Sequence, residues 1–167
     1  SVPGLQVAVV VAGTVAASVR AQVADWPIEA HLVEEDDKYA AMKAATVALA
    51  TSGTVSTELA LAGAPMIIAY RFQPLSYAIM RPFFTGKYAT LFNHAADEEI
   101  APEYIQKDAT PEKLIPAVKR LLANPDARAD QSRRQTAALD LMGREGRDPS
   151  EIAADAVLEV IAERSAA

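Results

Sequence analysis

One short stretch of the chain combines a turn, two hydroxyl side chains and a carboxylate. Ser52, Gly53 and Thr54 stand between an apolar segment and a helical one, and Glu58 follows about one helical turn later. The first N–H groups of a helix are unpaired and lie at the positive end of its dipole, so such a turn suits a phosphate or diphosphate. A carboxylate is instead a good acceptor for a pair of ribose hydroxyls. Together these groups predict a site for a nucleoside diphosphate.

A simpler interpretation of the same residues stays open. Ser-Gly-Thr before a helix is also a good N-cap, and Glu58 is then a solvated surface acid. Neither the G-x-G-x-x-G pattern nor the P-loop pattern occurs in the chain, so neither a Rossmann cofactor site nor a P-loop is predicted. The residue types of this turn alone do not decide between the two interpretations.

Alternating apolar and helical segments position the turn. The predicted strands, rich in Val, Ile and Ala, span residues 5–12, 28–33, 46–50, 66–70 and 88–92. The predicted helices between them span residues 14–24, 34–45, 55–62 and 75–84. Apolar strands that alternate with helices indicate a parallel sheet covered by helices. The predicted fold class is therefore α/β, with the turn at the carboxyl end of a strand, where ligands bind in such sheets.

The remainder of the chain is predicted to be helical. Capping residues followed by proline start helices at residues 110–111 and 148–149, and another helix spans about 126–142. The last helix, about 148–164, carries an apolar stripe that needs cover. The stripe consists of Ile152, Ala153, Ala156, Val157, Val160 and Ile161.

Composition argues against several kinds of site. The 167 residues carry 16 basic and 22 acidic side chains, and the net charge of −6 argues against binding to a nucleic acid. The chain has no cysteine, which excludes disulfides and thiolate metal sites, and its two histidines show no metal-ligand spacing. No apolar run reaches the roughly 18 residues of a membrane span. The chain does not begin with methionine, and we expect it to be part of a longer protein.

The stretch that begins at the turn resembles a known enzyme family. Residues 52–71, SGTVSTELALAGAPMIIAYR, are similar to the pattern of lipid-A-disaccharide synthases. That pattern has a Ser-Gly-Thr turn, a helix with a glutamate, a small-residue turn with proline, and an apolar strand that ends in Tyr-Arg. The resemblance is strongest over residues 48–122, and it continues through Pro74, Tyr88, Asn93, Glu99 and Gln106. Several separated elements match in order, which makes the resemblance specific.

The resemblance implies an activity and an architecture. The family transfers 2,3-diacylglucosamine from its UDP carrier to 2,3-diacylglucosamine 1-phosphate (lipid X) and releases UDP, a step of lipid A biosynthesis. Its B-type (GT-B) glycosyltransferase fold has two Rossmann-like domains that face a cleft, and this chain resembles the domain that binds the sugar nucleotide. The implied transfer is inverting and needs neither a metal nor a cofactor. The implied location is cytoplasmic, peripheral to the inner membrane of a Gram-negative bacterium, with the complete enzyme at the membrane surface.

The resemblance also assigns residues. It places Ser52, Gly53 and Thr54 at the diphosphate and Glu58 at the ribose. Asn93 matches an asparagine important to the active site of the family, and we expect it to be catalytic. The remaining expected substrate-binding residues are Thr57, Tyr70, Arg71, Glu99 and Gln106.

Two departures from the family pattern matter. The family carries a Pro-Gly-Ser-Arg turn after the first strand of this domain, and neither that turn nor an acceptor-binding domain occurs in this sequence. We therefore expect this chain alone to be inactive. Glu98 stands where the family usually has a cation, and the reversed charge is expected to weaken donor binding if it lies near the diphosphate.

These considerations predict two units. Residues 1–147 form a Rossmann-like nucleotide-sugar-binding domain without the first strand and helix of the family domain. Residues 148–167 form a helix that crosses to another domain or is exchanged with a second chain, which makes a homodimer. The alternatives are another GT-B enzyme acting on UDP-sugars, such as a hexosaminyltransferase or a UDP-N-acetylglucosamine epimerase, or a non-enzymatic flavodoxin-like module.

Overall fold

A computed structural model describes residues 2–51, 53–73, 86–143, 146 and 148–165. Within these ranges, strands and helices alternate along the first two thirds of the chain. The strands are β1 (Val7–Val11), β2 (Ala30–Glu34), β3 (Ala48–Ala50), β4 (Met66–Tyr70) and β5 (Glu103–Ile105). The helices are α1 (Ala16–Ala24), α2 (Lys38–Ala44), α3 (Thr54–Leu61), α4 (Leu91–Ala96), α5 (Pro111–Ala123), α6 (Pro125–Leu141) and α7 (Pro149–Ser165).

The described strands form two parallel sheets. β1 pairs with β2, with Val7 opposite Ala30. β4 lies between β3 and β5 in the second sheet, with Ile68 opposite both Ala50 and Glu103. The predicted α/β class, with parallel strands flanked by helices as in a Rossmann-like domain, is confirmed.

The core lies around β4, which is covered on both faces. Because side chains alternate along a strand, Met66 and Ile68 share one face while Ile67 points to the other, and all three are 0% exposed. The first face packs in a cluster with residues of α3, α4 and α6, and Ile67 packs with Ala117 and Leu121 of α5. The long apolar run of β4 follows from this two-sided cover.

Helix α6 is fixed to the amino end of β4 by one buried amide. Gln131 accepts from the N–H of Met66 at 2.9 Å, and its Nε2 donates to the carbonyls of Met66 at 2.9 Å and of Ile100 at 3.0 Å. The next residue, Ser132, donates to the carbonyl of Gly63, beyond the end of α3. Since α3 and α6 also pack along their lengths, α6 runs antiparallel to α3, from the amino ends of the strands towards their carboxyl ends.

Sequence analysis was wrong about residues 88–92. They do not form a strand: residues 88–90 are irregular and α4 begins at Leu91. The N–H groups of Ala89 and Thr90 donate to the carboxylate of Glu103, so they are not available to a strand ladder. The strand beside β4 is β5, which is too short and too polar to be recognised from the sequence. The helix predicted at 75–84 lies outside the described residues.

The last helix, α7, differs from the others in its exposure. Each residue from 150 to 162 is exposed, and the apolar stripe includes Ile152 and Val157 at 50% and 59% exposure. Among the described parts of the chain, no helix is long and apolar enough to cross a membrane. Within the predicted second unit, Pro149–Ser165 form a helix, while the crossing or exchange of that helix stays a prediction.

Candidate functional site

The turn between β3 and α3 lies at the carboxyl edge of the second sheet. Gly53 is the N-cap of α3 and has φ 122° and ψ −154°, a conformation that residues with a side chain rarely adopt. A Cβ added at Gly53 would meet no atom within 4 Å, so the glycine is required by its backbone angles and the space around it is open. Ser56 donates from its N–H and its hydroxyl to the Gly53 carbonyl at 3.2 and 2.6 Å, which fixes the turn. The site therefore offers an accessible helix N-terminus.

The hydroxyl residues of the predicted site differ in their surroundings. Ser52 lies outside the described residues. Thr54 is exposed at the first position of α3. The Oγ1 of Thr57 is buried, and within the described ranges it has no hydrogen-bond partner. The structure thus places Thr54 at the turn and Thr57 further along the helix.

Glu58 is held by two side chains from the preceding strand–helix unit. Its Oε1 accepts from Lys38 Nζ and from the Tyr39 hydroxyl, each at 3.0 Å. Lys38 and Tyr39 begin α2, at the carboxyl end of β2. The side chains of Lys38 and Glu58 are only 21% and 23% exposed, so this ion pair is largely covered. Glu58 is therefore not the freely solvated acid of the simpler interpretation.

The pKa shifts of Glu58 and Lys38 agree with this geometry. The hydrogen bond from Lys38 lowers the pKa of Glu58, partial burial opposes that effect, and Tyr39 lowers the pKa further. The bond to Glu58 correspondingly raises the pKa of Lys38. Near neutral pH the site therefore holds an ionised carboxylate in a fixed orientation. Lys38 and Tyr39 were not among the predicted site residues, because the helix predicted at 34–45 placed both beyond its first turn and no local pattern linked them to Glu58.

A second group of predicted residues lies at the same edge, after β4 and β5. Tyr70 ends β4 opposite Ile105, and Arg71 follows it as an exposed side chain. Gln106 has φ 54°, in the left-handed region, and its Oε1 accepts from the N–H of Phe72 at 2.6 Å. Neighbouring parallel strands are about 4.8 Å apart and end at the same edge. The structure thus brings Tyr70, Arg71 and Gln106 to the edge that carries Gly53.

Asn93 is fully buried, and its amide is fully used. Nδ2 donates to the Ala101 carbonyl at 2.8 Å and to Glu103 Oε1 at 2.9 Å. Oδ1 accepts from the N–H groups of Ile100 and Ala101 at 2.9 and 3.1 Å. These four bonds exhaust the usual capacity of an asparagine side chain. They tie α4 to the segment before β5, while the catalytic role expected of Asn93 stays a prediction.

Glu103 is a further residue of this network that sequence analysis missed. Its carboxylate accepts from Asn93, from the N–H of Ala89 at 2.7 Å, and from the N–H and hydroxyl of Thr90 at 2.9 and 2.6 Å. It therefore shapes the loop that enters α4. Its position as the charged residue in the mainly apolar stretch 100–105 was the available signal.

Glu98 and Glu99 lie away from the turn. Glu98 pairs with Arg134 of α6 at 2.6 Å, and Glu99 accepts from the N–H of Glu103, the first residue of β5, at 3.4 Å. These contacts lie near the amino ends of the strands, opposite to Gly53. The structure does not bring Glu99 together with the other predicted residues. The carboxylate of Glu98 pairs with Arg134, while its effect on donor binding stays a prediction.

The sequence of this chain is similar to that of one family of known enzymes. A family model described as lipid-A-disaccharide synthetase matches residues 3–157. The chain belongs to this family. It is 45% identical over 163 residues to lipid-A-disaccharide synthase of Rhodospirillum centenum, covering 97% of this chain and 41% of that protein. The corresponding enzyme of Paramagnetospirillum magneticum is 40% identical over 161 residues, with 95% and 41% covered.

A third relative gives the same result. Lipid-A-disaccharide synthase of Rhodopseudomonas palustris (strain ATCC BAA-98 / CGA009) is 43% identical over 148 residues, which cover 86% of this chain and 37% of that protein. The chain spans about two fifths of the length of these curated relatives. The matched residues 3–157 include the turn at Gly53, the helix with Glu58 and the carboxyl ends of β4 and β5.

The site offers two kinds of recognition at one edge. An open helix N-terminus attracts an anion, and an oriented carboxylate accepts hydrogen bonds from hydroxyl groups. Within the described residues, no group of three or more His, Asp or Glu side chains is arranged to hold a metal ion. The pairing of anion and diol recognition is what a nucleoside diphosphate requires.

Proposed function

We propose that this chain is the donor-binding part of a lipid-A-disaccharide synthase. The complete enzyme transfers 2,3-diacylglucosamine from UDP-2,3-diacylglucosamine to 2,3-diacylglucosamine 1-phosphate, with release of UDP. The observation that carries the proposal is the oriented carboxylate of Glu58 beside the open turn at Gly53, in a chain of this family. The combination suits the ribose and the diphosphate of one ligand.

The donor is proposed to lie across the carboxyl edge of the second sheet. Its diphosphate binds at Ser52, Gly53 and Thr54, and its ribose binds Glu58. Thr57, Tyr70, Arg71 and Gln106 complete the substrate-binding set, with Arg71 as a cation for the phosphates. Glu99 enters this set only if the donor reaches the opposite end of β5. Asn93 supports the site through the segment that its four hydrogen bonds hold.

The transfer is proposed to be a single inverting displacement. The acceptor hydroxyl attacks the anomeric carbon, the bond from that carbon to the β-phosphate oxygen of UDP breaks, and the hydroxyl proton leaves to a base. Negative charge develops on the departing diphosphate, and the N-terminus of α3 stabilises it without a metal. Binding of the donor alone does not orient the acceptor, so we propose that this chain by itself is inactive.

The complete enzyme is proposed to supply one more parallel strand between β1 and β3. The described strands follow the orders β2-β1 and β3-β4-β5. A Rossmann sheet has the order 3-2-1-4-5-6, which these two orders match with the central position unfilled. Helix α2 contacts β1 and β2 of the first sheet, and it also contacts α3, which packs on β3 and β4 of the second.

The proposed partners follow from the substrates. Both sugars are acylated, so the complete enzyme is proposed to work at the cytoplasmic surface of the inner membrane of a Gram-negative bacterium. The exposed stripe of α7 is proposed to pack on another chain, as in an exchanged homodimer.

Steady-state transfer kinetics of the complete enzyme test the proposal. Glu58→Gln is expected to raise KM for the donor with little change in kcat, because ribose contacts are equal in the ground and transition states. Asn93→Ala is expected to lower kcat instead. Glu112→Gln, on the first turn of α5, is the control and should change neither. Unchanged donor KM in Glu58→Gln would contradict the proposal.

A further inference from the structure

We infer that Lys38 and Tyr39 are positioning residues for donor binding, which hold one oxygen of Glu58 so that the other is presented to a ribose hydroxyl. The inference rests on the proposed function, since it assigns the ribose to Glu58. It adds two residues of α2 to a site that is otherwise built at the ends of β3, β4 and β5.

The carboxylate of Glu58 is bound at one of its two oxygens. Lys38 Nζ and the Tyr39 hydroxyl both donate to Oε1 of Glu58, at 3.0 Å each. In the part of the chain that the structure describes, Oε2 has no hydrogen-bond partner. A carboxylate accepts about four hydrogen bonds in all. Glu58 is therefore fixed at one oxygen and retains acceptor capacity at the other.

The ion pair of Lys38 and Glu58 is shielded from solvent. Lys38 and Glu58 have side chains 21% and 23% exposed, the lowest values for both partners among the described ion pairs. The Lys87–Asp97 pair, by comparison, joins atoms 3.6 Å apart with side chains 66% and 87% exposed. A covered pair is screened less by water and salt than an exposed one. It therefore holds the orientation of Glu58 more firmly than a surface pair would.

The position of Lys38 on its helix is unusual for a cation. It is the first residue of α2, where the positive end of the dipole disfavours a cation. Helix stability alone would favour an acid there, as at the three preceding residues, Glu35–Asp37. The contact with Glu58, and the Tyr39 ring whose centroid lies 4.8 Å from Nζ, account for a lysine at this position.

Few charged groups besides Lys38 act on Glu58. Helix α3 carries no ionisable side chain besides Glu58. From the described residues of α2, α6, β3 and β4, Lys38 and Tyr39 are the groups that shift the pKa of Glu58, and both lower it. Removal of Lys38 should therefore raise the pKa of Glu58, so that its acceptor form is lost at a higher pH as the pH falls.

The experiment compares Lys38→Met, Lys38→Arg and Tyr39→Phe with Lys43→Met, an exposed lysine of the same helix. Calorimetry gives the Kd of UDP and of 2′-deoxy-UDP, and carboxyl carbon NMR gives the pKa of Glu58 in the free protein. Lys38→Met should weaken UDP binding about tenfold and bring the ratio of the two Kd values close to one. Tyr39→Phe should have a smaller effect, Lys38→Arg should restore most of the affinity, and Lys43→Met should behave as the parent chain.

The outcomes separate the two proposals. If the parent chain does not bind UDP, the proposed function fails, while the NMR titration still reports whether Lys38 controls Glu58. If UDP binds but Lys38→Met leaves its Kd, its preference over 2′-deoxy-UDP and the pKa of Glu58 unchanged, the positioning role is wrong. If Lys38→Met does not fold, the same comparison is made with Tyr39→Phe, whose unchanged Kd ratio would overturn the inference.

Discussion

The two sheets of this protein differ sharply in how well they are packed. In the β3–β4–β5 sheet, β4 has three consecutive side chains that are 0% exposed, and clusters of apolar residues cover both of its faces. In β1 and β2, Val11 is the only buried residue. Val10 of β1 and Leu49 of β3 remain 40% and 57% exposed in strands with apolar sequences. Apolar strands of parallel sheets are usually covered on both faces, and the additional strand proposed between β1 and β3 is expected to cover part of these side chains.

The residues of the candidate site are also divided between the two sheets. The turn at Gly53 and the residues that end β4 and β5 belong to the packed sheet, whereas Lys38 and Tyr39 follow β2 of the exposed one. The contact of Lys38 with Glu58 therefore couples the two regions. Binding of a nucleotide to the packed sheet should depend on how the other sheet is held.

Core truncation should separate the two sheets most strongly. Ile68→Ala removes a fully buried side chain of β4 and should lower the free energy of unfolding by about 3–4 kcal/mol. Val10→Ala in β1 should lower it by less than about 1 kcal/mol, because Val10 is already exposed. Urea unfolding measures both. Equal losses would show that β1 is as well packed as β4.

Two buried glutamine side chains on α6 differ in their hydrogen bonds and should differ in their effect on stability. Gln131→Leu leaves the polar groups of Met66 and Ile100 without their partner and should lower the free energy of unfolding by about 2–3 kcal/mol. Gln135 is 0% exposed, and among the described residues neither of its amide atoms has a partner. Gln135→Leu should therefore raise the free energy of unfolding by about 1 kcal/mol. A lower free energy of unfolding in Gln135→Leu would contradict this prediction and indicate that the amide of Gln135 has a hydrogen-bond partner.

Amide hydrogen exchange tests the comparison without mutation. The amides of β1 and β2 should open at a cost at least about 2 kcal/mol below that of β4, because few buried contacts hold the first sheet. In the complete enzyme the additional strand should reduce this gap. Uniform protection of all described strands in this chain would contradict the account.

The smallest effect on stability is expected from α7. Deletion of residues 148–167 should change the free energy of unfolding by less than about 0.5 kcal/mol, since the described side chains of the helix are exposed. The same deletion should abolish self-association in light scattering if α7 packs on a second chain. A monomer both with and without these residues would remove the proposed homodimer contact.

The sequence was sufficient where local patterns determined structure. The apolar run of β4, the turn at Gly53 and the caps of the last helices predicted those elements correctly within a few residues. Residues 88–92 were misread because their fold depends on hydrogen bonds to Glu103, more than ten residues away. The ion pair of Lys38 with Glu58 joins residues 20 apart, which no local pattern encodes. The division of the strands into two sheets was likewise unpredictable, because the long strands of both sheets have similar apolar sequences.

The most direct test of the central claim is to map UDP onto this chain by amide NMR. The account predicts saturable shifts at Gly53, Thr54 and Glu58, with smaller ones at Lys38, and none at Glu99 near the opposite edge. In Glu58→Gln the affinity should fall about tenfold or more, since an ionised acceptor is replaced by a neutral one. Absence of saturable shifts around Gly53, or equal affinity in Glu58→Gln, would contradict the claim that this edge binds a nucleoside diphosphate.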